Sequence, residues 1–235
     1  MEFHQAPASL PPGRRIYAIG DIHGAHPQLL ALHALIAQDL AARPTHSALL
    51  LHLGDYVDKG EHSRAVVDYL AARLPIPGLP TVNLIGNHED TMLAALAGDG
   101  GAIADWLWCG GRPTLASWAC DPEAPATWPA AFTPPQRAFL NGLALHHAEG
   151  GYLFVHAGIR PGIPLADQRR DDLLRIRHDF LNSERDHGAV VVHGHTAGFA
   201  PVVKRNRIGL DTAAWSGGPL TCAVLEDDRI GFLQA

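Results

Sequence analysis

Cysteine is scarce in this chain: three residues among 235, Cys109, Cys120 and Cys222, far apart and in no Cys-x-x-Cys pair. That spacing excludes a disulfide framework or a zinc ribbon as the organising element. With no helix-start or basic signal beside them, all three read as small packing residues. Positive charge is also short, with 18 Lys and Arg against 24 Asp and Glu and a formal net charge of -6. No global basic field is available to hold a nucleic-acid backbone. The local basic clusters, Arg169-Arg170 with Arg175 and Arg177, and Lys204-Arg205-Asn206-Arg207, read as solvated faces, with Arg177 set apart below. No apolar run approaches the roughly 20 residues of a membrane-spanning helix, and the N-terminus has no charged-then-apolar leader pattern. A cytoplasmic location without a membrane partner is the expectation. Internal repeats and low-complexity tracts are absent too.

The chain is rich instead in turn-borne metal-ligand types. Five clusters recur: Gly20-Asp21-Ile22-His23-Gly24, Gly54-Asp55-Tyr56-Val57-Asp58-Lys59-Gly60, Gly86-Asn87-His88-Glu89, His156-Ala157-Gly158 and His193-Gly194-His195-Thr196. Each directly follows a short apolar run, at 15–19, 48–53, 81–85, 152–155 and 189–192. Such runs read as strands buried on both faces. Every candidate ligand therefore sits where a strand ends, the rim at which layered α/β folds bind ligands. Taken singly, a Gly-Asp after a strand reads more readily as a turn, and His156 as a core histidine. Five ligand-rich turns, all at strand ends, are hard to assign to coincidence.

The residue types fit one chemistry. Hydrolysis of a phosphate ester by water at neutral pH requires hydroxide, neutralised phosphoryl oxygens and help for the leaving oxygen. Two divalent cations roughly 3.5–4 Å apart meet the first two needs. Such a pair takes a bridging carboxylate together with imidazole, carboxylate and amide-oxygen ligands.

Length and pattern suggest one large domain over residues 15–235, preceded by a flexible lead-in over 1–14 containing Pro7, Pro11, Pro12 and Gly13. From Arg15 to about Asn87 the order is βαβαβ, with helices at 26–42 and 61–73, hence a parallel sheet. Pro27 suits the first turn of its helix. Residues 89–148 read as a helical section in which Trp106, Trp108, Trp118 and Trp128 serve packing. Strands are expected at 151–156, 189–193 and 201–210, then a hairpin near 219–234 turning at Glu226-Asp227-Asp228-Arg229.

In order, the clusters resemble the bacterial branch of the phosphoprotein phosphatase family of two-metal serine/threonine phosphatases, within the calcineurin-like metallophosphoesterase superfamily. Further stretches share the resemblance: Trp108-Cys109-Gly110-Gly111, His156 to Gly162, Ile176-Arg177 before Phe180-Leu181, and Asp211-Thr212-Ala213 before Gly217-Gly218. The resemblance implies an α/β fold, a layered β-sheet sandwich flanked by helices, with a dinuclear metal site at strand C-terminal ends. It implies that Asp21 and His23 bind one metal, that Asn87, His156 and His195 bind the other, and that Asp55 bridges them. His195 is assigned over His193 because the family's late histidine follows a glycine. Manganese is the expected metal in vitro, with iron or zinc also suited to these donors. Asp58 would orient His88 as the proton donor to the leaving group. Lys59 stands where the family carries an arginine clamp, trading a two-pronged fork for a point charge, so phosphate binding would lean on Arg177 and Arg160 beside Lys59 and Asn87.

The leading expectation is a protein phosphatase acting on phosphoserine or phosphothreonine, with phosphotyrosine as a wider range and phosphoproteins or phosphopeptides as partners. An alternative keeps the metals and takes a diadenosine tetraphosphate. A third, a non-catalytic metal-binding module, ranks last because every catalytic position is filled.

Overall fold

The computed structural model describes residues 1–72 and 74–235. Two mixed sheets lie face to face. The first has the spatial order β1 (Phe3–Gln5), β11 (Arg229–Gln234), β10 (Thr221–Glu226), β2 (Arg14–Ile19), β3 (Ser47–His52) and β4 (Thr81–Asn83). The second runs β5 (His146–Glu149), β6 (Tyr152–Val155), β7 (Val190–His193), β9 (Arg207–Gly209) and β8 (Val202–Val203). As the pattern requires, β2, β3 and β4 are parallel, and so are β6, β7 and β9.

Alternation along the strands explains the layering. Ile16, Ala18, Leu49, Leu51, Ala223 and Leu225 point from the first sheet toward Tyr152, Phe154, Val190, Val192 and Ile208 of the second, and these close the central core. Tyr17, Ile19, Leu50 and Val224 face the other way, onto helices. Two of these are α1 (His26–Ala42) and α2 (Ser63–Ala72), which bury Leu29, Leu32, His33 and Ile36, and Ser63, Val66, Val67 and Leu70. That i, i+3, i+4, i+7 spacing is a single helical stripe, and each buried Leu or Val contributes about 1.5–3 kcal/mol. The middle section supplies α3 (Asn87–Leu96), α4 (Gly100–Trp106), α5 (Arg112–Ser117), α6 (Trp128–Ala131) and α7 (Pro134–Asn141). The outer face of the second sheet is covered by α8 (Arg170–Arg175) and α9 (His178–Leu181), through Leu173, Ile176 and Phe180. Among the described residues no helix is long and apolar enough to cross a membrane.

Several expectations need correction. The lead-in is docked: β1 pairs antiparallel with β11, Leu10 is buried, and the carbonyls of Ala8 and Ser9 accept from Tyr152 Oη and Gly151 N. Its prolines carry no N–H to leave unpaired, and the N–H groups of Ala6 and Leu10 donate to Asp228 O and Asp227 O, both at 2.8 Å. The helical section ends in a strand, because β5 and β6 form a hairpin across Gly150-Gly151. The single strand expected over 201–210 is a hairpin, with Lys204 N donating to Arg207 O at 2.8 Å. The second helix ends at Ala72; the last residue expected for it, position 73, lies outside the described residues. Trp106, Trp118 and Trp128 are buried, but Trp108 is 90% exposed. Cys109 is exposed rather than packed.

A buried polar chain ties α1 and α2 to the sheet. His52 Nδ1 donates to Asn83 Oδ1 at 2.8 Å, so its Nε2 accepts from His33 Nε2 at 3.0 Å. His33 Nδ1 is left to accept from Tyr69 Oη at 3.0 Å. Burial pushes the pKa of His33 down to about 3 and that of His52 to about 4. Both values lie below the roughly 6.5 of an unfolded histidine, so below that pH the unfolded chain takes up protons that the folded chain refuses. The stability held by the pair is complete above about pH 6.5 and is lost as pH falls toward 4. Each histidine should add a slope of about 1.4 kcal/mol per pH unit in that window. Urea unfolding at several pH values should show this slope, and a His33→Leu, His52→Leu double variant should show a shallower one whatever its stability at pH 7. An unchanged slope would contradict the assignment.

Candidate active site

The loops after β2, β3 and β4 meet those after β6 and β7 at the C-terminal ends of the parallel strands. Ile22 N and His23 N both donate to Asp55 O, at 3.0 and 2.8 Å, which closes the first loop on the second. Gly194 N donates to His156 O at 2.8 Å and closes the later pair. A Cβ at Gly86 would run into the Asp55 carboxylate, and one at Gly194 into that of Asp21. Those two glycines let the chain pass against a ligand.

Asp55 lies at the centre. Its Oδ2 is 3.3 Å from His23 Nε2, 3.4 Å from His156 Nε2 and 3.9 Å from His88 Nε2. Burial opposes its charge, but the neighbouring imidazoles, His156 and His88 foremost, outweigh burial and hold the carboxyl well below the usual range. Two ligand groups share it: His23, Asp55 and His88, and Asp55, His156 and His195, with ligand atoms within 4.8 Å of one another in each. Asn87 Oδ1 joins the second group, 3.0 Å from His156 Nε2 and 2.8 Å from His195 Nδ1. Asp21 stands beside the first, its Oδ2 4.0 Å from His23 Nε2 and its carboxylate accepting from His195 N at 3.0 and 3.1 Å.

Hydrogen bonding behind the ligands suits divalent cations. His23 Nδ1 donates to Val57 O at 2.8 Å and His156 Nδ1 to Leu53 O at 2.9 Å. In the neutral rings both Nε2 lone pairs then face Asp55, acceptor against acceptor, an arrangement a bound cation relieves and that the Lys59 ammonium, 2.9 Å away, meets only at His23. Burial lowers the pKa of His23 and pushes that of His195 down to about 2, keeping both rings in the neutral form that ligates. The Asp21 carboxyl is raised well above its usual value by burial and by the charges of Asp211 and Asp55. Buried carboxyl groups facing unprotonated nitrogen make a donor set suited to divalent cations.

His88, at the start of α3, carries the other expected chemistry. Its Nδ1 lies 2.7 Å from Asp58 Oδ2, and the fully buried Asp58 carboxylate also accepts from Trp106 Nε1 at 2.9 Å and Thr114 Oγ1 at 2.6 Å. Burial opposes protonation of His88, yet Asp55 and Asp58 outweigh it and its pKa lies above the ordinary value. Lys59 Nζ reaches 2.9 Å from His23 Nε2. Arg177 is exposed and, among the described residues, its guanidinium makes no hydrogen bond or ion pair, though its charge is felt at His195. Arg160 is not available as expected. Its guanidinium grips Asp172 at 2.6 and 3.0 Å and Asp179 at 2.9 Å, so its fork is spent on α8 and α9. His193 packs edge-on against Phe180 at 5.1 Å, away from the ligands.

Two residues escaped the sequence reading. Glu89 is fully buried and accepts four backbone N–H bonds, from Tyr56 and Val57 on Oε1 and from Asp55 and Gly86 on Oε2. Its place in the Gly-Asn-His-Glu cluster was the available signal. Asp211 is buried behind Asp21 and accepts from Ala213 N at 3.0 Å. The backbone around the site is strained: among the described residues, His23, Asp55, Asp58, Lys59 and His195 are five of eight non-glycine residues with positive φ. Each costs on the order of 1–3 kcal/mol, a cost that functional sites concentrate.

The chain matches the profile of the calcineurin-like phosphoesterases over residues 14–229. It is 29% identical over 151 residues to a symmetrical bis(5'-nucleosyl)-tetraphosphatase of Methylococcus capsulatus, covering 62% of this chain and 44% of that protein. It is 30% identical over 153 residues to one of Aromatoleum aromaticum, covering 63% and 45%. The chain thus spans under half the length of the curated relatives it matches. The fold is also that of a cold-active protein-tyrosine phosphatase of Shewanella sp., with a TM-score of 0.66 at 15% identity over 96% of this chain and 83% of that one. A profile match across nearly the whole sandwich, with its ligand-rich turns converging on Asp55, means that the chain belongs to the calcineurin-like phosphoesterase family.

Proposed function

We propose that the chain is a two-metal phosphoesterase that cleaves dinucleoside tetraphosphates symmetrically, diadenosine tetraphosphate giving two ADP. The observation that carries the phosphoesterase reading is the convergence of His23, His156 and His88 on Asp55. The substrate rests on the relatives, which bear the name of the reaction that the sequence reading placed second, not of the protein phosphatase it placed first.

Asp21, His23 and Asp55 would hold one metal, and Asp55, Asn87, His156 and His195 the other; manganese, iron or zinc suits these donors. Bound there, the metals supply Lewis acidity and a nucleophile at neutral pH. Water adds to an inner phosphorus, the central P–O–P bond breaks, and one ADP departs with the bridging oxygen. Lys59 and Arg177 neutralise phosphoryl oxygens. His88, its pKa raised by Asp55 and Asp58 against burial, gives its Nε2 proton to the departing oxygen.

An assay of manganese-loaded protein with diadenosine tetraphosphate beside a phosphoserine peptide tests the substrate. ADP should be the sole nucleotide product, with kcat/KM at least tenfold above that for the peptide. Formation of AMP and ATP, or a peptide turned over faster, would overturn the reading.

His88→Asn tests the acid. A serine alkoxide is a strong base and needs a proton, a tyrosine phenolate needs it less, and nitrophenolate or the phosphate end of ADP least. With metal content retained, kcat should fall by about 10²–10⁴ for an alkyl phosphate, less for phosphotyrosine, and least for the nitrophenyl ester and the dinucleotide. Equal losses on all four substrates, with chemistry rate-limiting, would remove His88 from that role.

A further inference from the structure

Beside Lys59 the rim of the site carries an indole turned toward solvent. Trp215 is 44% exposed, and its Nε1 makes no hydrogen bond among the described residues. It rides on a tight turn at Ala214–Ser216, entered through Ala213 at φ 57° and left through Gly217 at φ 95°. The turn is pinned by Ala213 N to Asp211 Oδ1 at 3.0 Å and by Thr212 Oγ1 to Pro219 O at 2.6 Å. A left-handed alanine and the buried Asp211, Thr212 and Ala214 hold a large aromatic ring out toward solvent. Core packing does not require that.

The ring borders an open cavity of about 420 Å³, whose other walls are Pro27 and Gln28 of α1, His23, and the Lys59 to His62 segment. That volume is within the range of small-ligand sites. Its walls include both the ligand residue His23 and the apolar Ala25, Pro27 and Ala214 with the Trp215 ring. Lys59 joins them: its ammonium lies 5.3 Å from the Trp215 ring centroid and 2.9 Å from His23 Nε2. A ligand filling this space would set phosphate against Lys59 and a flat ring on the indole, with the side chains of Gln28, Glu61 and His62 at its edge. A phosphoserine offers no ring.

We infer that Trp215 is the platform on which one nucleobase of the substrate stacks, in the cavity between α1 and the 214–216 turn, while the phosphate chain runs past Lys59. This rests on the dinucleotide reading above and names where its base sits.

Calorimetry on manganese-loaded protein, with ADP and inorganic pyrophosphate as probes, tests it without relying on turnover. Wild type should bind ADP roughly ten- to hundredfold more tightly than pyrophosphate, the worth of one base on an aromatic ring. Trp215→Ala should abolish that advantage and leave pyrophosphate affinity within about twofold, a control on both the fold and Lys59; Trp215→Phe should keep most of it. Trp108→Ala, an exposed indole outside the cavity, should keep all of it. An advantage that survives Trp215→Ala, or is lost in Trp108→Ala instead, overturns the proposal, as does equal binding of the two probes by wild type. Parallel loss of pyrophosphate affinity in Trp215→Ala also overturns it, because the indole would then act only by holding Lys59. An ADP advantage lost in Trp215→Ala, from an enzyme that releases no ADP from diadenosine tetraphosphate, would sustain the platform and sink the reaction.

Discussion

One buried carboxylate holds the two loops that carry Asp55 and His88 in register. Glu89 receives N–H bonds from Asp55, Tyr56 and Val57 on one loop and from Gly86 on the other. Burial and the neighbouring Asp55 charge raise its pKa to about 7, and the donors work against that rise. With two donors on each oxygen, a proton there would displace a bond. Hydrogen bonds to a charged group contribute about 1.5–3 kcal/mol each, enough to offset the left-handed backbone at Asp55, Asp58 and Lys59. Asp55 can then sit against His23 while Asn87 and His88 open α3 beside it.

The same loops depend on the sandwich. Asp21, His23, Asp55 and Asn87 follow strands of the first sheet, whereas His156 and His195 follow β6 and β7 of the second. They meet because Ile16, Leu51 and Ala223 pack against Phe154 and Val192, which fixes the distance between the sheets. The bond from His156 Nδ1 to Leu53 O, 2.9 Å, carries that registration directly into the ligand set. A central-core substitution should therefore reach the metals through geometry, since interiors this close-packed transmit shifts rather than absorb them.

What the sequence made legible was local. A ligand and the strand before it lie within a few residues of each other, so the five clusters, the βαβαβ order and the first helix could be read directly. What it hid was pairing at a distance. Glu89 looks like any helix-start carboxylate until three N–H groups from residues 55–57 arrive on it. Arg160 looks like a clamp until Asp172 and Asp179 close on it. The docking of β1 depends on β11 at the other end of the chain. Trp108 and Trp215 are indistinguishable from core tryptophans in composition, and only the fold turns them outward.

The proposed chemistry turns on Asp55 being the ligand that both metals share. Elemental analysis of protein equilibrated with manganese and freed of excess tests it most directly, comparing wild type with Asp55→Asn after circular dichroism confirms that both are folded. Wild type should hold about two ions per chain and the variant less than one, because neutralising a bridging carboxylate weakens both sites at once. Two ions retained in Asp55→Asn would contradict it.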